Sequence, residues 1–183
     1  MIRNRLVMAK WAAFKPPWTK MPSADSTGKP ASDEVWCPHV TVACVVHERD
    51  RFLIVEEDVR GDVRFNQPAG HLEPGESLIE AARRETLEET GWEVELESFI
   101  GVRQYDSPEH DAHIVRFAFA AKPLHHDPQR ALDTGILRTH WLSYAEIFSL
   151  GERLRSALVL QTLEDWLADQ RFPLRAVGDV ACA

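Results

Sequence analysis

Cysteine is scarce in this chain: Cys37, Cys44 and Cys182 are the only three in 183 residues, with no CxxC pair among them. That spacing excludes a zinc ribbon and argues against a disulfide-stapled secreted fold, so reduced thiols in a cytoplasmic setting are expected, with Cys44 buried. Long apolar runs are missing too. Nothing approaches the roughly 18 residues needed to cross a bilayer, and the amino-terminal LVMAKWAAF is short and broken by Lys10. Neither a membrane span nor a secretory leader is therefore expected. Basic residues are the minority, 21 against 29 acidic ones, for a net charge of −8. Five of them (Arg3, Arg5, Lys10, Lys15, Lys20) fall in the first 20 residues with no acidic residue, which leaves −8 − 5 = −13 on the remainder. So acidic a body is a poor match for the phosphate backbone of nucleic acids, and no nucleic-acid partner is expected. Methionine is absent after Met21, which leaves Met1, Met8 and Met21 as alternative starts.

What is present suits one domain with a core: 44% of the residues are hydrophobic and the length is that of a single globular unit. Residues 1–36, with Pro16, Pro17, Pro22 and Pro30 and the stretch SADSTGKPASDE, are expected to be a disordered basic, proline-rich extension. An arm for a membrane surface or a partner is the alternative. From residue 37 to 183 the pattern is that of a folded domain. HVTVACVVH and RFLIVEE read as strands of a hairpin turning at Glu48-Arg49-Asp50, followed by a charged loop and then FNQPAGHL. WEVELESFIGVRQY, HIVRFAFAA and LRTHWLS read as further strands, and YAEIFSL and LRSALVLQTLEDWLADQ as amphipathic helices. Strands mixed with a few helices, without regular alternation, predict an α/β fold with a mixed sheet and helices on its faces.

The segment between residues 70 and 92, GHLEPGESLIEAARRETLEETGW, carries the chemistry. Ser77 and Glu80 form a capping-box signature, Pro74-Gly75 a turn before it, and Gly91 a stop. Between them Leu78, Ala82, Glu85, Glu89 and Trp92 share one helical face, with Glu88 at its border. Glutamates in phase with a buried stripe repel one another and lose hydration, which calls for compensation. A hard divalent cation supplies it through oxygen ligation. A solvated acidic face partnered by Arg84 is the competing reading; the phase of Leu78 and Ala82 speaks against it.

The same residues resemble the Nudix box. Gly70, Glu76, Arg84, Glu85, Glu88, Glu89 and Gly91 fill its seven fixed positions, while Thr86 and Trp92 replace the bulky aliphatics usual at two packing positions. With PHVTVACVV before the box and RFPLRAVGD near the carboxyl end, the chain from about Pro38 to Val180 is similar to the NudJ-like phosphatase branch of the Nudix hydrolases. The resemblance implies an α/β/α sandwich and Mg²⁺ as cofactor, with Mn²⁺ also admissible, held by Glu85, Glu88, Glu89 and the Gly70 carbonyl. It implies hydrolysis of thiamine pyrophosphate, its pyrimidine pyrophosphate precursor and nucleoside di- and triphosphates, with release of orthophosphate. A pyrophosphohydrolase that releases nucleoside monophosphate is the alternative within the family. A non-catalytic module of the same fold and an RNA-directed enzyme using the basic arm are the others.

Arg84 suits a bidentate contact that orients a glutamate, and Glu76 suits organisation of the loop. Glu85 is the expected general base; Glu109, His110 and Asp111 in the loop DSPEHDA are the alternatives. In HIVRFAFA the strand period sets Arg116 on the face of Ile114 and Ala118, where it could bind phosphate or form a structural ion pair. Phe65 could stack on a substrate ring or fill the core. The histidines His39, His47, His71 and His113 are expected in ordinary hydrogen-bonded roles.

Overall fold

The computed structural model describes residues 36–107 and 112–178. Residues 1–35, the loop holding Glu109, His110 and Asp111, and Cys182 lie outside them. Seven strands run in the order β1 (His39–Glu48), β2 (Arg51–Val59), β3 (Asp62–Asn66), β4 (Ala69–His71), β5 (Trp92–Ser107), β6 (Ala112–His126) and β7 (Ile136–Ser143). Helix α1 (Leu78–Thr90) lies between β4 and β5, and α2 (Tyr144–Leu150) and α3 (Leu158–Leu167) follow β7.

The hairpin turn after Glu48 joins strands that part almost at once. β1 and β2 pair only at His47↔Phe52 and Glu48↔Arg51. Beyond that β1 runs between an antiparallel β4 and a parallel β6, while β2 runs between antiparallel β3 and β7. β5 closes the first group against β6. The sheet is thus mixed, and it splays into two halves from one short hairpin.

Alternation along the strands builds a core on each face. Val42, Cys44, Val46, Leu53 and Phe119 point to the side of α1 and meet Ala81 and Ala82. Val45, Ile54, Ile100 and Ala120 point the other way, to Ile147 of α2 and Val159 and Leu163 of α3. Residues 41–46 of β1 are buried without interruption, the signature of a central strand covered on both faces. The result is the α/β/α sandwich. Phe119, fully buried at the centre of the first cluster, anchors it; truncation to Ala would cost about 3–5 kcal/mol.

Several elements differ from the sequence pattern in extent. The charged loop after β2 is a tight turn at Arg60-Gly61 leading into β3, and FNQPAGHL holds the end of β3 and all of β4. β4 owes its existence to β1, distant in sequence, whereas β3 is the return arm of a tight hairpin with β2 and has too few apolar residues to announce itself. The last amphipathic stretch is helical only over Leu158–Leu167; Gly151–Arg153 forms a separate 3₁₀ turn before it.

Candidate active site

Helix α1 is locked at both ends. Ser77 Oγ accepts the Glu80 N–H at 3.1 Å and Glu80 Oε2 accepts the Ser77 N–H at 2.8 Å, a complete capping box. Gly91 closes the other end with φ 70°, and its N–H donates to the Leu87 carbonyl. A side chain there would be disfavoured twice, by that left-handed backbone and by the Asp127 carbonyl 2.8 Å from where a Cβ would stand. The buried stripe is Ala81, Ala82, Glu85, Thr86 and Thr90. Thr86 and Thr90 take the centre of it and return their hydroxyls to the carbonyls of Ala82 and Thr86 within the helix. Glu85 and Glu89 are thereby displaced to the edge nearest β4.

One arginine harnesses the acidic residues. Arg84 makes a bidentate contact with Glu76, Nε to Oε2 at 2.9 Å and Nη2 to Oε1 at 2.6 Å. Its Nη1 donates to Glu85 Oε1 at 2.9 Å and Glu88 Oε2 at 3.0 Å, and Nη2 also reaches the His71 carbonyl at 3.0 Å. Glu76 in turn accepts the Glu73 N–H at 2.7 Å, which ties the loop before the helix to the helix itself. The hydrogen bonds from Arg84 hold the Glu76 carboxyl below the usual carboxylate range.

Glu85 and Glu89 go the other way. Burial raises the Glu85 pKa, and the charges of Glu88 and Asp133 add to it against the opposing pull of Arg84. Burial raises Glu89 well above the usual range, although its Oε2 accepts the Ala69 N–H at 2.8 Å. The backbone of β4 lies hard against these groups: a Cβ on Gly70 would stand 2.2 Å from the Glu85 carboxylate. Glycine at position 70 is a spatial requirement of that close approach.

Asp133, in the loop between β6 and β7, completes the cluster. Its N–H donates to the Glu88 carbonyl at 3.1 Å, and Glu85, Glu88 and Asp133 each offer a carboxylate oxygen within 4.8 Å of the others. Three carboxylates converging beside a main-chain cradle form a donor set suited to a hard divalent cation, so the residues present fit such an ion. No local pattern marks Asp133; LDTG reads as an ordinary turn, and only the fold carries it to α1.

On the same sheet, a cavity of about 150 Å³ opens beside Gly70, lined also by Thr41, Glu57, Asn66, Arg116, Arg155 and Ser156. Arg116 is 7% exposed, and its Nε and Nη1 find no hydrogen-bond partner among the described residues. Burial pulls its pKa down to about 10, partly opposed by the charges of Glu57 and Glu89. Glu57 lies 3.7 Å from Arg155 Nε. Sequence reasoning singled out Arg116 and missed Glu57, Arg155 and Ser156. Phe65 does not line the cavity: it packs in the core with Val45 and Ile54, under the Arg153 guanidinium 5.4 Å from its ring.

The remaining singled-out groups make ordinary contacts, although His71 also borders the cavity. His39 and His71 contact each other at 3.2 Å, His47 meets Glu97 at 3.0 Å, and His113 contacts Asp106. Cys44 is fully buried, donates weakly to the Ala82 carbonyl at 3.4 Å, and has its thiol pushed up to about 12 by burial. It is a packing residue. No helix among the described residues is long and apolar enough to cross a membrane.

Known proteins match this arrangement. Residues 38–163 match the NUDIX domain model. Over 142 residues the chain is 43% identical to phosphatase NudJ of Escherichia coli K12, a match covering 78% of this chain and 92% of the relative; phosphatase NudJ of Shigella flexneri matches to the same extent. A NUDIX hydrolase from Nitrosomonas europaea superimposes with a TM-score of 0.77 at 43% identity, covering 79% of this chain and 98% of the other. A family model spanning more than half of the chain, on the carboxylate helix just described, decides the matter: this chain belongs to the Nudix hydrolases.

Proposed function

We propose that this protein is a Mg²⁺-dependent cytoplasmic phosphatase that removes the terminal phosphate of small phosphoanhydrides: thiamine pyrophosphate, its pyrimidine pyrophosphate precursor, and nucleoside di- and triphosphates. Orthophosphate is the product released. The observation that carries this reading is the convergence of Glu85, Glu88 and Asp133 beside Gly70, in a chain 43% identical to phosphatase NudJ.

Glu85, Glu88, Glu89 and the main chain at Gly70 would hold the cation, with Asp133 alongside; Mn²⁺ would fit the same oxygen donors. Bound there, it would neutralise charge on the phosphoryl oxygens and bring the substrate's diphosphate to the helix. The protein's own work is positioning and proton transfer. Arg84 holds Glu85 and Glu88 at fixed angles through one nitrogen while anchoring itself on Glu76, so it acts as a positioning residue. Glu85 is tied through Oε1, which leaves Oε2 to take the proton of the attacking water; a carboxylate of raised pKa is a better acceptor near neutrality than an ordinary one. Glu89, held by the Ala69 N–H, fixes helix against strand at the point where the substrate must pass.

The test is phosphate release with Mg²⁺ across that substrate panel, with and without added inorganic pyrophosphatase. Orthophosphate without the auxiliary enzyme is the expected result. Signal only in its presence would reassign the protein as a pyrophosphohydrolase, and activity that persists in excess chelator would overturn the metal-assisted reading.

A further inference from the structure

The cavity beside Gly70 is lined by buried polar atoms of both kinds that have no hydrogen-bond partner among the described residues. Arg116 Nε and Nη1 are donors, Glu57 Oε1 and Asn66 Oδ1 are acceptors, and Thr41 Oγ1 can serve as either. Arg155 Nε stands 3.7 Å from Glu57 Oε1, beyond hydrogen-bond reach. Burial raises the Glu57 carboxyl above the usual range, and the charges of Arg155 and Arg116 offset only part of that. Burial pulls Arg116 the opposite way, down to about 10. Polar groups taken out of water like this lose hydration and gain nothing in return. The set calls for a ligand that brings donors and acceptors of its own.

Shape and hydrogen-bond count narrow what fits. Ile114 of β6 and Tyr105 of β5 are cross-strand partners, two residues along from Arg116 and so on its face of the sheet. Both line the cavity, with Leu158 of α3. Apolar side chains beside a few polar atoms suit a flat ring that turns its polar edge inward. The volume, about 150 Å³, is roughly half the low end of pockets that enclose a whole drug-sized ligand, about 300 Å³; it takes one ring and leaves the rest outside. An ionised phosphate is a poor occupant, since it has no hydrogen for Glu57 or Asn66 and the Glu57 carboxylate repels it. An amino group next to a ring nitrogen offers two hydrogens, one each for Glu57 and Asn66, and a lone pair for Arg116. An oxo group next to a ring N–H offers one hydrogen, which leaves Glu57 or Asn66 buried and unmatched.

We propose that this cavity receives a ring of the substrate, and that Glu57, with Asn66 and Arg116, selects rings bearing an amino group beside a ring nitrogen over their oxo counterparts. The proposal rests on the reading above of a hydrolase of small phosphoanhydrides, and it adds the residues that choose the organic portion. Ala69 and Gly70 line the cavity, and the same two residues meet the glutamates of α1: the Ala69 N–H donates to Glu89, and Gly70 lies close against Glu85. Cavity and carboxylates thus share β4 as a border, and a phosphate chain on a ring held in the first reaches the second. Glu57 is a specificity residue in this scheme: a site built to hydrogen-bond a substrate group rejects the analogue that cannot pair with it.

The experiment is calorimetric titration of cytidine monophosphate and, separately, uridine monophosphate into the full-length protein with Mg²⁺ present, for the wild type and Glu57→Gln. The two nucleotides share sugar and phosphate and differ in the amino or oxo edge of the ring. The wild type is expected to bind the cytidine nucleotide at least tenfold more tightly. In Glu57→Gln, where the amide donates as well as accepts, that ratio should fall at least fivefold. Wild-type protein that binds neither nucleotide, or binds them with a ratio below tenfold, overturns the proposal even should the variant fail to fold. A folded Glu57→Gln that keeps the wild-type ratio overturns it too. Selective binding without hydrolysis of the corresponding di- and triphosphates would instead sink the enzymatic reading and leave the ring selection standing; hydrolysis without selectivity would do the reverse.

Discussion

The glutamate helix and the arginine cavity share Gly70 as a border, yet they manage buried charge in opposite ways. On α1 the acidic groups have an internal counter-ion: Arg84 donates to Glu76, Glu85 and Glu88 at once. In the cavity Arg116 has charged neighbours but, among the described residues, no hydrogen-bond partner on two of its nitrogens. The first arrangement satisfies its own charges; the second leaves polar atoms unmatched among the described residues. Hydrogen bonds that fix the carboxylates in place are the preorganisation a site needs to hold its own reacting groups.

Removing the charge of one box glutamate should break the first half of this comparison most severely. Glu89→Gln is expected to lower kcat/KM at least tenfold, about 1.4 kcal/mol or more of transition-state stabilisation, with an unchanged circular dichroism spectrum. Gln can still accept the Ala69 N–H, so turnover near that of the wild type would mean that the charge at this position is idle.

Next is Arg84→Ala, which leaves Glu76, Glu85 and Glu88 without their common partner. The Arg84 side chain is 23% exposed, so a cost of about 2–3 kcal/mol is expected from thermal or denaturant unfolding, below the range for fully buried pairs. Added divalent cation should recover part of it, because the ion and Arg84 neutralise the same carboxylates. An undiminished midpoint would show the harness to be ornamental.

The smallest effect concerns the cluster's latecomer. Asp133→Asn should weaken Mg²⁺ binding several-fold by calorimetry, leaving folding intact, since the mutation keeps the N–H donated to Glu88. pH gives an independent handle. Carboxylates must be deprotonated to bind the ion, and Glu85 and Glu89 have pKa values raised by burial and mutual repulsion. Mg²⁺ affinity should therefore fall as pH drops through that raised range, at a higher pH than ordinary carboxylates would give. Asp133→Asn removes one of the repelling charges and should shift this fall toward lower pH. A shift toward higher pH would remove Asp133 from the cluster.

How far each half could be read in advance follows from chain distance. Helix α1, its capping box and its glycine stop lie between residues 77 and 91, and the hydrogen-bond partners of Arg84 fall between residues 71 and 88. Local spacing is enough to announce such a unit, because helical geometry converts sequence offsets into directions. Weakly apolar or distantly paired elements fared less well. β4 looked like loop because its hydrogen bonds go to the distant β1, β3 because it carries too few apolar residues although β2 is only a turn away, and α3 proved shorter than its amphipathic pattern. Phe65 was legible as a ring stack or a core residue, and the fold places it in the core; only the structure shows the Arg153 guanidinium over its ring.

The sequence by itself determined the reaction class, the α/β layering and the identity of the box carboxylates, because those depend on residue type and short-range period. Only the tertiary structure decided that Asp133 joins Glu85 and Glu88, that Thr86 and Thr90 rather than the glutamates centre the buried stripe, and that Arg116 faces a polar cavity shared with Glu57, Arg155 and Ser156. Those facts depend on the early parting of β1 from β2 and on loops returning across the sheet. Such closures are fixed by the packing of the whole core, and no local pattern encodes them.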